Sequence, residues 1–283
     1  MASSLRALTI LALLAVLGAG SGCGARVEPR GDAATPFPLT VRDVSGTTVT
    51  LNSQPTRFLA LDASSARTLL DLGARSVTSS SLSPGRTPAA ARKGAFDLIV
   101  ASVDDDDGDV ADVADVVGAP VYRFGVAAIP ALPSAIAHLG TAIGLGPQGV
   151  TQATRARTGI ASAVATVAAR PRVRVLLDGG SFLAYGPETA SGKVIAFAGG
   201  ANVVPTTRQL KASDIRGLAP AVWFFLPGVR TSTRELENVP GAAKVPAIAK
   251  RRYVRLDDLQ LVTTPEVGDA LRRLLGDLHG VSG

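Results

Sequence analysis

Five aspartates stand within six positions, at Asp104, Asp105, Asp106, Asp107 and Asp109. Carboxylates this dense either face a cation or open a helix, where their charge suits the positive end of the helix dipole. The run brushes against the calcium-loop pattern but lacks the Glu such a loop needs downstream, which excludes an EF-hand. Asp112 and Asp115 carry the acidity onward at helical spacing, so a solvated helix start is the simpler reading and an acidic cleft mouth the alternative. The chain has two histidines, His138 and His279, far apart and each in a helical pattern, too few for a zinc site built of histidines and carboxylates. Its one cysteine, Cys23, stands near the amino terminus. No P-loop, dinucleotide fingerprint or nucleophile elbow occurs. These residues lead us to expect no catalytic group, cofactor or resident metal.

The remaining candidates sit where strands end. Arg57–Leu61 reads as a buried strand, followed by Asp62-Ala63-Ser64-Ser65 and a helix over 66–72 that Gly73 stops. Ser64 or Ser65 can cap that helix, whose free N–H groups could face an anionic ligand. Leu98–Ala101 is a second strand, and the aspartate run follows it. Arg86 lies in a short loop, reaching either a cleft or solvent. Val222–Leu226 is a strand broken at Pro227-Gly228, with Arg230 just beyond; Trp223 within it reads as core. Tyr253–Leu256 ends in Asp257-Asp258. Loops at the carboxyl ends of strands line ligand crevices in open α/β sheets.

Strands alternate with helices throughout, after a hairpin of 39–42 and 47–51 turned by 43–46. Between Pro147 and Pro171, Val150, Ala153, Ala156, Ile160, Val164 and Val167 recur at helical spacing. A helix of about twenty residues spans roughly 30 Å. We read it as a strut joining two α/β lobes; the alternative is an ordinary surface helix. Leu271, Leu274, Leu275 and Leu278 give the closing helix its buried stripe.

Of 283 residues, 46% are hydrophobic and 18% charged, which excludes a disordered chain. The formal charge is +6, but the arginines are scattered and no basic helix is interleaved with aromatics, so nucleic acid is not an expected partner. Arg6, the apolar run 7–17 and the small residues before Cys23 have the layout of an export signal. They resemble a bacterial lipoprotein signal, which implies lipid on Cys23 and attachment outside the cytoplasm. Gly20 departs from the leucine usual there and leaves cleavage without a lipid as the alternative. We place the signal at 1–22, a Pro/Gly-rich tether at 23–38, an N-terminal lobe at 39–145, the interlobe helix at 146–171 and a C-terminal lobe at 172–283.

The run FPLTVRDVSGTTVTLNSQPTRFLALDASSARTLLDLGA resembles the opening of bacterial periplasmic-type binding proteins for iron chelates and cobalamin. The likeness continues through Phe96–Ala101, Pro120–Tyr122, the helix 132–144, the strut, Ala198–Val203 and the strand Arg252–Val254. It implies two Rossmann-like lobes on a helical backbone and small opening motions. Function would be capture of an iron chelate, heme or cobalamin-like ligand by a monomer, for an ABC permease. It also implies that Tyr185 faces the cleft, and we group Tyr185 with Asp62, Ser64, Arg86, Arg230 and Asp258 as the ligand-binding candidates. The family usually docks on its permease through one surface carboxylate per lobe. Those positions hold Arg67 and Lys193 here, with Glu188 a substitute if the alignment slips. A rival follows: an envelope lipoprotein with a binding fold that scaffolds or senses without delivering cargo.

Overall fold

The computed structural model describes residues 36–126, 128–229, 232–256 and 259–280. The signal, Cys23 and all but the last residues of the tether lie outside them. The chain opens on a hairpin, β1 (Leu39–Arg42) and β2 (Thr48–Leu51), in antiparallel register. There follow β3 (Arg57–Ala60), α1 (Ala63–Asp71), β4 (Ser76–Ser79), β5 (Leu98–Ser102), α2 (Asp107–Val117), β6 (Val121–Phe124), α3 (Leu132–Ala142) and the long α4 (Gly146–Ala168). Beyond α4 come β7 (Val173–Asp178), β8 (Leu183–Tyr185), α5 (Ala190–Phe197), β9 (Gly200–Asn202), β10 (Arg208–Gln209), α6 (Ala212–Leu218) and β11 (Val222–Phe225). The chain closes with α7 (Thr233–Glu237), α8 (Pro246–Ala249), β12 (Tyr253–Arg255) and α9 (Val267–His279).

The strands before α4 form a parallel sheet in the order β4-β3-β5-β6. Those after it form a sheet in the order β10-β8-β7-β11-β12, with β9 also on β7. In it β7, β11 and β12 run parallel and β8 antiparallel. The central strands are continuous apolar runs because helices cover both faces; Leu98, Ile99, Val100 and Ala101 are fully buried. Trp223 on β11 is equally buried and donates its Nε1–H to Asp178 at 3.1 Å, as the core reading anticipates. Burial pushes the Asp178 carboxyl above its ordinary pKa.

The strut helix runs 23 residues, with Pro147 in its first turn. Ala153, Ala156 and Ile160 of the expected stripe are buried and Val167 packs against the core, but two of its valines are not inside. Val150 and Val164 are 61% and 47% exposed, while Gly149, Ala153, Ala156, Ile160 and Ala163 turn inward. The reason is close helix packing. A Cβ on Gly140 of α3 would stand 2.6 Å from the Gly149 Cα, and one on Gly159 would stand 2.5 Å from the Gly268 Cα of α9. Where α4 crosses α3 and α9 the contact is set by glycine, and a larger residue at 149 or 159 would not fit. One hydrophobic core runs through this helix, from Val49 and Leu51 on the hairpin to Leu278 on α9. A second cluster covers the other face of the first sheet, where Leu59 and Ile99 meet Val110 and Val113 of α2. No helix among the described residues is long and apolar enough to cross a membrane.

Asp97 ties the amino ends of β3 and β5 together. Its carboxylate accepts from Thr56 N (3.0 Å), Thr56 Oγ1 (2.8 Å), Arg57 N (3.0 Å) and Arg57 Nη2 (2.7 Å). The Arg57 guanidinium, foremost, and the Thr56 donors hold its pKa well below the carboxylate range. A depressed folded pKa stabilises above the unfolded value and is lost as pH falls through the folded one. Asp97→Ala is therefore expected to cost about 2 kcal/mol at neutral pH. Melting curves of wild type and variant should begin to approach each other as pH falls through about 4, the ordinary range for Asp, and meet only well below it.

Candidate functional site

The carboxyl ends of both sheets converge on one cavity of about 380 Å³. The first sheet supplies Asp62 and Ser64 after β3, Ser102, Asp104 and Asp105 from the end of β5 and the loop after it, and Phe124, Gly125 and Val126 from the end of β6 and just beyond it. The second half supplies Ala190, Ser191 and Val194 from α5, Pro227 after β11, and Leu259, Val262 and Thr263 after β12. This is the crevice that strand-end reasoning anticipates.

Each polar group is fixed by local chemistry. Asp62 is the N-cap of α1: one carboxylate oxygen accepts from Ser65 N at 2.8 Å and the other from Ser65 Oγ at 2.5 Å. Its extended backbone before the first helical residue is what an N-cap requires. Beyond β5, the Ser102 N–H donates to Asp105 Oδ2 at 2.8 Å, and the Asp104 N–H to Ser102 Oγ at 3.2 Å. Arg123 braces this loop. It is only 8% exposed, and its Nη1 donates to the carbonyls of Ser102 (2.9 Å) and Asp105 (3.3 Å) while Nη2 pairs with Asp107. Burial, with the charges of Asp62 and Asp104, pushes the Asp105 carboxyl above its usual pKa, against the Ser102 N–H and Arg123.

The aspartate run is thus divided, and both readings of it hold in part. Asp106 caps α2, accepting from the N–H groups of Gly108 (2.9 Å) and Asp109 (3.1 Å). Asp109 receives the Gly85 N–H at 2.9 Å. Asp104 and Asp105 face the cavity.

The structure brings Asp62 and Ser64 to the cavity but not the other described candidates. Arg86 is exposed, in a tight turn whose backbone closes on Ser83 at 3.0 Å. Tyr185, on β8, pairs with Leu177 of β7, and its ring lies over Gly179, where a Cβ would come within 2.0 Å of it. Glycine at 179 leaves room for the ring, so the ring packs there instead of against the cavity. Arg230 and Asp258 lie outside the described residues. Arg67 is bound to Asp71 (3.2 Å) and to Glu266 (2.5 Å), whereas Lys193 is exposed on α5. Glu188 accepts from Thr207 N and Oγ1 at 2.7 and 2.5 Å.

Sequence reasoning missed Ser102, Phe124, Ser191, Val194 and Val262. Strand-end position signals the first two. The others are visible only once the second sheet is folded against the first. Among the described residues the lining is carboxylate, hydroxyl and aliphatic, with Phe124 the one aromatic and no His, Tyr, Met, Cys, Lys or Arg. Among them, too, no group of three or more His, Cys, Asp or Glu could hold a metal ion.

No family model matches the chain, and no curated protein does. Solved structures do. The heme binding protein HmuT superposes with a TM-score of 0.68 at 17% identity, over 88% of this chain and 93% of that one. The periplasmic heme-binding protein RhuT from Roseiflexus sp. RS-1 gives 0.65 at 21%, over 79% and 98%. A periplasmic solute binding protein from Veillonella parvula gives 0.64 at 12%, over 86% of each chain. At these identities the likeness shows the fold, which is that of the helical-backbone periplasmic binding proteins.

Proposed function

We propose that this protein is an extracytoplasmic solute-binding lipoprotein, anchored through Cys23, that captures a small ligand between two lobes for an ABC importer. The observation that carries the reading is the cavity at the carboxyl ends of both sheets, in a fold shared with heme- and solute-binding proteins. The lobes correspond to 39–145 and 172–283, with 146–171 between them. Capture and release need no bond chemistry. The serines of the cavity have no histidine beside them among its described residues, so the lining supports binding rather than acyl transfer.

An iron chelate is the cargo class the lining supports best. Heme iron takes an axial His, Tyr, Cys or Met in proteins, and the described lining offers none of these. A chelate that brings its own complete donor set asks only for shape, hydrogen bonds and charge, which the lining has. Sparse aromatics also argue against the broad corrin ring of a cobalamin.

One observation favours the scaffold or sensor reading. Arg67 is spent on Asp71 and Glu266 within the chain, and exposed Lys193 carries the wrong sign for family-type docking. A thermal-shift panel of ferric chelates, heme and cobalamin separates the two readings. Ligand at a hundredfold excess over its Kd adds about 2.7 kcal/mol, worth roughly 5–10 °C for a chain of this size. We expect such a rise with at least one ferric chelate. The scaffold reading expects none with any compound.

A further inference from the structure

We infer that the ligand presents a positively charged group, such as a protonated amine, to a wall formed by Asp62, Asp104 and Asp105, with its apolar body against Val194, Leu259 and Val262. The inference rests on the capture reading above: the site is the cavity, and the carboxylates say what the cavity selects.

Three facts carry it. First, the carboxylates come from two loops, after β3 and β5, yet line the same space. Second, none of the three is in an ion pair among the described residues, although Asp107, close by in the same loop, is neutralised by Arg123. The chain carries a formal charge of +6, so arginine was plentiful and the described wall has none. Carboxylates without a direct ion pair in a cleft with low-dielectric walls focus their field on whatever enters. Third, the wall is built in advance. Ser65 holds Asp62, the Ser102 N–H holds Asp105, and the buried Arg123 fixes the loop backbone through the Ser102 and Asp105 carbonyls. Little ordering remains to oppose binding. The like-charge crowding already felt by Asp105 is relieved when a cation arrives. The second half of the chain adds Val194, Leu259 and Val262, an aliphatic surface in the same cavity for the ligand's body, beside the hydroxyl residues Ser191 and Thr263.

The test is calorimetric titration of the full chain, in detergent, with a matched pair of ferric trihydroxamate chelates. One carries a free primary amine; the other is its N-acetyl derivative. We expect the amine form to bind at least tenfold more tightly at low salt, and the preference to fall to within about twofold for Asp104→Asn/Asp105→Asn. If that pair of changes unfolds the loop, Asp104→Asn alone, at an exposed position, should still shrink the ratio. Equal affinities, or preference for the acetylated form, would overturn the charge inference and leave capture standing. Binding of neither chelate would overturn both it and the iron-chelate reading beneath it.

Discussion

Gly159→Leu is expected to lower the melting temperature by roughly 6–12 °C, the equivalent of about 3 kcal/mol for a chain of this size. The atoms in the way are backbone. A Cβ at residue 159 would stand 2.5 Å from the Gly268 Cα and 3.0 Å from its nitrogen, and one at 268 would stand 2.7 Å from the Gly159 Cα. No rotamer relieves such a clash; α4 and α9 must separate. Ile160 and Ala163 of α4 and Leu271 of α9 belong to the core that would be pried open. Gly217→Ala is the control, because a Cβ there meets nothing within 4 Å. It should be neutral or slightly stabilising, since alanine narrows the unfolded ensemble. Equal melting temperatures for Gly159→Leu and the control would refute the close approach of the two helices.

Arg123→Ala is expected to damage both fold and site. The guanidinium is nearly buried, and its loss leaves the carbonyls of Ser102 and Asp105 without these donors. The pair with Asp107 adds little, because that carboxylate is 98% exposed and screened by water. The Asp105 carbonyl loses this donor, the Ser102 carbonyl keeps the long bond from the Asp105 N–H (3.3 Å), and these losses with that of the arginine stem's packing together cost about 2–3 kcal/mol. The consequence for function is larger, because the same bonds set the path of the loop that carries Asp104 and Asp105. Affinity for an amine-bearing ferric chelate should fall about tenfold or more. Arg123→Lys should recover only part of this, since an ammonium cannot span both carbonyls and Asp107 as a planar fork does. A variant that melts within 1 °C of wild type and binds as tightly would show that the loop stands without Arg123.

The order of elements was legible because each carries its own local signal. Apolar runs mark β3, β5, β7 and β11, and Pro147 marks the start of α4. Asp62 caps α1 where the small-residue loop suggested Ser64 or Ser65 as the cap, so the helix starts at Ala63, three residues before the expected 66. Periodicity found α4 and most of its buried face, Ala153, Ala156 and Ile160 among them, but placed Val150 and Val164 there too, where the close packing takes Gly149 and Ala163 instead. The site was legible only at strand ends. Composition cannot say which aspartate of a run turns into a cavity: Asp106 caps and Asp104 lines because the helix begins at Asp107. Tyr185 was drawn to the cleft by family resemblance, whereas its place is decided by Gly179, six residues earlier, which leaves room for the ring. Arg67 finds Glu266 from the far end of the chain, a pairing no local pattern encodes.

The most direct test of ligand capture in this cavity is a calorimetric comparison of wild type with Ser191→Trp. Ser191 sits in the first turn of α5 and lines the cavity, so an indole there fills the space while the sheets stay as they are. We expect wild type to bind one equivalent of a ferric chelate and Ser191→Trp to bind none, with its melting temperature unchanged. A Ser191→Trp protein that still binds one equivalent with wild-type affinity would place the ligand elsewhere and contradict the account.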